Sequence, residues 1–130
     1  LAFSELLRVL KPGGKLVMID MEAAEEELRA IEDEIETLRD ISHVRNMSKA
    51  EMTDLFTVNG LSIQKCETTE IRQKLRCWLA LTKTPEKIQE EITRRMEADI
   101  NGTEKTGFYP YMENSDICFD QKWVLIMGEK

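Results

Sequence analysis

The sequence predicts an α/β fold, and three observations carry that prediction. A helix-turn-strand succession occupies residues 6–21, and a second one occupies residues 48–67. An apolar run rich in aromatic and branched residues then closes the chain at 117–128. Repeated αβ units followed by a further strand favour a sheet covered by helices over a helical bundle.

Leu6, Leu7 and Leu10 fall at the spacing of an apolar helical face. Pro12 disfavours helical geometry at Lys11, and Gly13 and Gly14 tolerate the backbone angles that reverse a chain. Lys15–Met21 is a short, mostly apolar run, the pattern of a strand covered on both faces. After Asp20, the stripe Ala24, Leu28, Ile31, Ile35 and Leu38 predicts one long amphipathic helix, with Glu25, Arg29, Glu36 and Asp40 on its wet side. Residues 38–45 close that helix and begin a loop.

Ser48-Lys49-Ala50-Glu51 has the S-x-x-E form of a capping box, Met52, Leu55 and Phe56 form an apolar face, and Asn59-Gly60 supplies the exit. Residues 61–67 alternate as a half-buried strand. Residues 71–81 are expected to be helical, burying Leu75, Trp78 and Leu79. Thr84-Pro85-Glu86 starts another helix, with Thr84 as cap, and Ile88, Ile92 and Met96 face inward until Asn101-Gly102. An aromatic linker at 103–115 leads to the last strand.

The chain has 130 residues, 42% of them hydrophobic, enough for one domain with a modest core. A net charge of −7 argues against a nucleic-acid-tracking surface. The acidic run between Glu22 and Glu36 suits a solvated helix face better than a metal site. Three widely spaced cysteines and one histidine suggest reduced, partly buried thiols, a cytoplasmic setting and no metal. No apolar run is long enough to span a bilayer, so no membrane role is expected.

The stretch L-L-R-V-L-K-P-G-G-K-L, followed by a strand ending at Asp20, resembles the segment entering the fifth strand of class I S-adenosylmethionine-dependent methyltransferases. It is most similar to the small-molecule branch related to ubiquinone and menaquinone methyltransferases. Residues 38–45, of the form L-R-D-x-S-H-V-R, resemble uncharacterised bacterial members of the same group. The likeness runs through all 130 residues but corresponds to the C-terminal half of such an enzyme, so residues 1–130 are expected to be the C-terminal part of a single methyltransferase domain. It implies a partial Rossmann-like fold with a helical lid and a three-stranded mixed sheet. In that sheet 15–21 and 61–67 flank an antiparallel last strand, 122–127.

The cofactor implied for the parent is S-adenosylmethionine. No glycine-rich strand-to-helix turn occurs here, so cofactor-binding residues stay unassigned and the chain alone is expected to be inactive and not to bind the donor. The partner expected is a small-molecule methyl acceptor. In open α/β sheets ligands sit beyond the carboxyl ends of strands, which brings forward Asp20 and the loop holding His43 and Arg45. His43 suits a general base, or else it caps the preceding helix while Arg45 pairs with acids. Asp20 is either a substrate contact or a helix cap. Trp78 and Tyr109, with Phe108 and Tyr111, either line an acceptor pocket or belong to the core. Two other readings stand beside methyl transfer. One is a non-catalytic α/β interaction domain associating through its sheet edge. The other, an unrelated α/β hydrolase, lacks G-x-S-x-G. The first strand is expected to have a bare edge through which the fragment self-associates.

Overall fold

The computed structural model describes residues 2–130. Helix α1 (Ala2–Val9) stops where Pro12 requires, and Gly13 turns the chain at φ +80°. The Lys130 ammonium donates to the last carbonyls, of Leu7 and Leu10, at 2.7 Å each. Strand β1 (Lys15–Met21) follows, then α2 (Arg29–Arg39), α3 (Lys49–Val58), β2 (Ser62–Lys74), α4 (Leu75–Leu81), α5 (Glu86–Ile100), β3 (Tyr111–Glu113) and β4 (Asp116–Glu129).

β4 is the centre of the sheet. It pairs antiparallel with β1 on one side and β2 on the other, giving the order β1-β4-β2, and with β3 in a hairpin. The three expected strands therefore take their expected places, but the three-stranded mixed sheet is corrected to four strands with antiparallel ladders. β1 and β2 run in the same direction but never touch, because β4 lies between them. Among the described residues the parallel pairing is a single bridge between Glu22 and Met47, outside the named strands.

Three further expectations are corrected. The helix expected from Ala24 begins at Arg29, because the backbone before it is engaged elsewhere. The Glu22 amide bonds Lys122 O, the Ala23 amide bonds Met47 O, and the Ala24 amide donates to the Glu32 carboxylate. The helix expected at 71–81 is strand as far as Lys74, since β4 extends far enough to pair Gln73 with Phe119 and Lys74 with Cys118. Leu75, Trp78 and Leu79 are buried as expected. Thr84 does not cap α5; Pro85 is the N-cap, and the Thr84 hydroxyl bonds Arg39 O at 3.0 Å. The Ser48–Glu51 capping box is present in both directions. Of the three thiols, Cys118 is buried, Cys66 half-buried and Cys77 exposed.

The buried apolar side chains of the described residues form two clusters. Met52, Phe56, Leu61, Val124 and Ile126 sit between α3 and the sheet, joined by Phe3 and Leu7 of α1, by Leu10 just after it, and by Leu16 and Met18 of β1. Ile35, Leu75, Trp78, Leu79, Ile92, Met96, Phe108 and Phe119 tie α2, α4 and α5 to the start of β4. The rings of Trp78, Phe108 and Phe119 meet edge to face, with centroids 5.0–5.5 Å apart. This second cluster holds together the helical layer of α2, α4 and α5, called the lid below. No helix among the described residues is long and apolar enough to cross a membrane.

Candidate functional site

A cavity of about 540 Å³ opens where β1 ends and the lid begins. Met21 leads into it, Phe108 and Phe119 form an apolar floor, and carboxylates and tyrosines line the rest. Burying the floor rings in the lid core fixes their positions. The polar wall is held by a set of side-chain bonds from distant parts of the chain.

The Tyr111 hydroxyl donates to Asp120 Oδ1 at 2.7 Å, across the β3–β4 hairpin. That bond holds the phenol neutral and raises its pKa to about 12. The Tyr109 hydroxyl bonds Glu25 from the opposite rim. Tyr109 has φ +51°, a left-handed conformation that few residues other than glycine adopt, and it is 63% exposed. Just before it, Gly107 has φ +84°, and a Cβ there would lie 3.1 Å from Ala24 Cβ. The chain must pass close to the segment leading from β1, which explains a glycine at this position.

Arg29, expected on the wet side of its helix, is buried. Its guanidinium donates to Asn46 O at 2.8 Å and pairs with Glu51, while its Nε is buried without a partner. One turn on, buried Glu32 accepts from the Ala24 amide at 3.0 Å. Burial pushes the Glu32 carboxyl above its ordinary value, against the opposing pull of the Ala24 amide, Asn46 and Arg29. The same two side chains thus line the cavity and fasten the 22–28 segment over it.

Of the residues singled out in the sequence, Tyr109 lines the cavity. Asp20 lies one residue before it, where its carboxylate accepts from the Met21 amide at 2.8 Å instead of capping α2. Trp78 is in the lid core with the Arg39 guanidinium 4.1 Å above its ring. Arg45 is exposed in the loop. His43 does not line the cavity: its Nε2 is 3.2 Å from Asp33 Oδ1, its Nδ1 is 3.8 Å from Glu36 Oε2, and its side chain is 11% exposed. It braces α2 from the far side. Arg29, Glu32 and Asp120 were missed, because a charge on an acidic helix or an alternating strand gives no sequence sign of burial. The Tyr109–Tyr111 pair in a Pro-containing linker was the legible signal.

The glycines test whether the chain can cradle a nucleoside-bearing methyl donor. Gly13 and Gly14 precede β1, Gly60 precedes β2, Gly102 ends α5, Gly107 lies between α5 and β3, and Gly128 packs on Phe56. None joins the end of a strand to the start of a helix, the place of a glycine turn that receives a nucleoside or phosphate. Among them there is also no cluster of His, Cys, Asp or Glu suited to a metal ion.

No protein-family model matches the chain. It is 34% identical over 92 residues to the uncharacterized protein YafE of Escherichia coli (strain K12), a match covering 70% of this chain and 44% of that protein. It is 28% identical over 131 residues to the uncharacterized methyltransferase YcgJ of Bacillus subtilis (strain 168), covering 99% of this chain and 52% of that protein. The crystal structure of YcgJ superimposes with a TM-score of 0.83 at 26% identity, over 99% of this chain and 56% of that one. The BH2331 structure from Bacillus halodurans C-125 gives 0.84 at 21% identity, over 98% and 60%, a likeness of fold alone. The chain spans about half the length of the relatives it matches. It is homologous to the C-terminal portion of the methyltransferase YcgJ.

Proposed function

We propose that this chain is the acceptor side of an S-adenosylmethionine-dependent methyltransferase acting on a small molecule. The observation that carries the reading is the cavity at the carboxyl end of β1, in a chain homologous to part of YcgJ. Its volume of about 540 Å³ suits a small organic ligand, and an apolar floor with a few polar groups at the rim is the usual form of such a site. The donor supplies an electrophilic methyl group when bound by the remainder of such an enzyme. The residues present here hold the acceptor: Phe108 and Phe119 stack its flat or apolar part, Tyr109 and Tyr111 orient its polar edge, and Glu25 and Asp120 hold the two phenols in place. Methyl transfer needs mainly alignment, so positioning is the chemistry this half contributes.

The test is saturation-transfer-difference NMR on the full chain with a panel of small phenols, carboxylic acids and amines. At least one class is expected to bind, with its signal lost in Tyr109→Ala and in Phe108→Ala while the amide spectrum elsewhere is retained. Binding that survives both substitutions, or no binding by any class, overturns the assignment of this cavity.

A further inference from the structure

Carboxylates from four separate parts of the chain converge on the cavity. Glu22, Glu25 and Glu26 come from the segment after β1, Glu32 from α2, Glu70 from β2 and Asp120 from β4. A solvated helix face accounts for acids that share one helix. It does not account for acids brought to one cavity by a loop, a helix and two strands. Against these six the wall offers two cations, Arg29 and Lys122.

Little of that negative charge is cancelled. Of the six, Glu26 alone makes an ion pair among the described residues, with Arg29 at 3.8 Å, and Arg29 is shared with Glu51, outside the lining. Glu25 and Asp120 accept from the Tyr109 and Tyr111 hydroxyls, and Glu32 accepts from the Ala24 amide. Those donors are neutral, so they fix where the carboxylates sit without removing their charge. Glu32 is the decisive member. It lines the cavity, is 7% exposed and has no ion-pair partner among the described residues, whereas a carboxylate that deep is ordinarily paired. Burial works against its ionised form, and a cation in the cavity offsets that penalty.

The acids are spread along the wall, and among the described residues no group of His, Cys, Asp or Glu is gathered closely enough to hold a metal ion. Spread charge suits an extended organic cation. The rings of Phe108, Tyr109, Tyr111 and Phe119 line the same space, and aromatic faces attract such cations. A concave site with walls of low dielectric also focuses the field of its charges inward.

We infer that the ligand of this cavity is an organic cation, an amine protonated at neutral pH and joined to a flat or apolar body. The carboxylates receive the ammonium and the rings receive the body. The inference rests on the reading of the cavity as an acceptor pocket and narrows it to one chemical class.

Three probes of similar shape test it by NMR titration of the full chain at neutral pH: phenethylamine, phenethyl alcohol and phenylacetate. The ammonium is expected to bind about tenfold more tightly than the alcohol or better, and the carboxylate more weakly than either. Added salt is expected to weaken the ammonium and spare the alcohol. Glu22→Gln combined with Glu70→Gln changes two side chains that make no hydrogen bond or ion pair among the described residues. It is expected to weaken the ammonium by about threefold to tenfold. Glu90→Gln combined with Glu97→Gln makes the same change in net charge at exposed positions of α5 outside the cavity, and is expected to leave binding unchanged. Glu32→Gln keeps an oxygen for the Ala24 amide and is expected to weaken the ammonium at least as much as the first pair; where it fails to fold, that pair decides. Alcohol or carboxylate binding as tight as the ammonium overturns this inference and leaves the acceptor pocket standing. Equal weakening by the two double variants does the same. No binding by any probe overturns the pocket itself.

Discussion

Glu36 is a buried acid whose Oε1 has no hydrogen-bond partner. Burial pushes its carboxyl up to about 7; Arg39 opposes the shift, and Glu32, Asp33 and Asp40 add to it. His43 Nδ1 lies 3.8 Å from Glu36 Oε2. A carboxyl raised in the folded state stabilises the fold fully below its unfolded value near 4.5, and that contribution is lost as pH rises through about 7. Glu36→Gln is therefore expected to match the parent at pH 5 and to exceed it at pH 8 by roughly 2–3 kcal/mol, read from urea melts at both values. A smaller effect belongs to Ser48, whose hydroxyl accepts from the Glu51 amide at 3.1 Å. Ser48→Ala is expected to cost about 1 kcal/mol. The S-x-x-E spacing made this cap legible in the sequence. Arg29 was not legible, because its burial comes from Asn46 and Glu51, contacts that no local pattern encodes.

The turn between α1 and β1 shows how local rules set an element. A Cβ on Gly14 would lie 2.7 Å from Lys11 O and 2.8 Å from Leu10 Cδ1, so Gly14→Ala forces the backbone to move. The expected loss is about 1–3 kcal/mol in thermal or chemical unfolding, whereas Gly102→Ala meets nothing within 4 Å and answers to its positive φ alone. K-P-G-G was read correctly because proline and glycine act through their own backbone. The elements that departed from expectation were set at a distance. The first turn expected for α2 is taken up by Lys122, Met47 and Glu32. The helix expected at 71–74 is strand because β4 offers it a partner. Helical spacing locates the face of Leu75, Trp78 and Leu79 but cannot register a ladder with a strand 44 to 50 residues on.

At the scale of the whole molecule, the two clusters divide the labour. One joins α1 and α3 to the sheet, and the other builds the lid over the cavity floor. Trp78→Ala is expected to cost about 3–5 kcal/mol. In hydrogen exchange it is expected to raise rates in α4 and α5 while β1 and the rest of the α3 cluster stay protected, the sign of a lid that opens as a unit. No glycine joins the end of a strand to the start of a helix among the described residues, so isothermal titration with S-adenosylmethionine is expected to give no measurable heat of binding. Micromolar binding would require a donor site among residues assigned here to scaffold. The α/β class was legible because periodicity and turn chemistry report it, the order of the three long strands came from the family resemblance, and the aromatic linker was visible in the sequence without a choice between cavity and core. The antiparallel hairpin of β3 was not, because three residues are too few to show a period.

The central place of β4 also sets an order of assembly. β1, β2 and β3 each pair with β4 and not with one another, so a chain that has reached only residue 115 holds three strands and no sheet. Its helices form from local contacts, but every ladder of the sheet waits for β4 to appear. The resulting long sequence separations between partners slow the search, and apolar Val17 and Ile19 stay available throughout it. The sheet therefore closes only once β4 is available, in a single step.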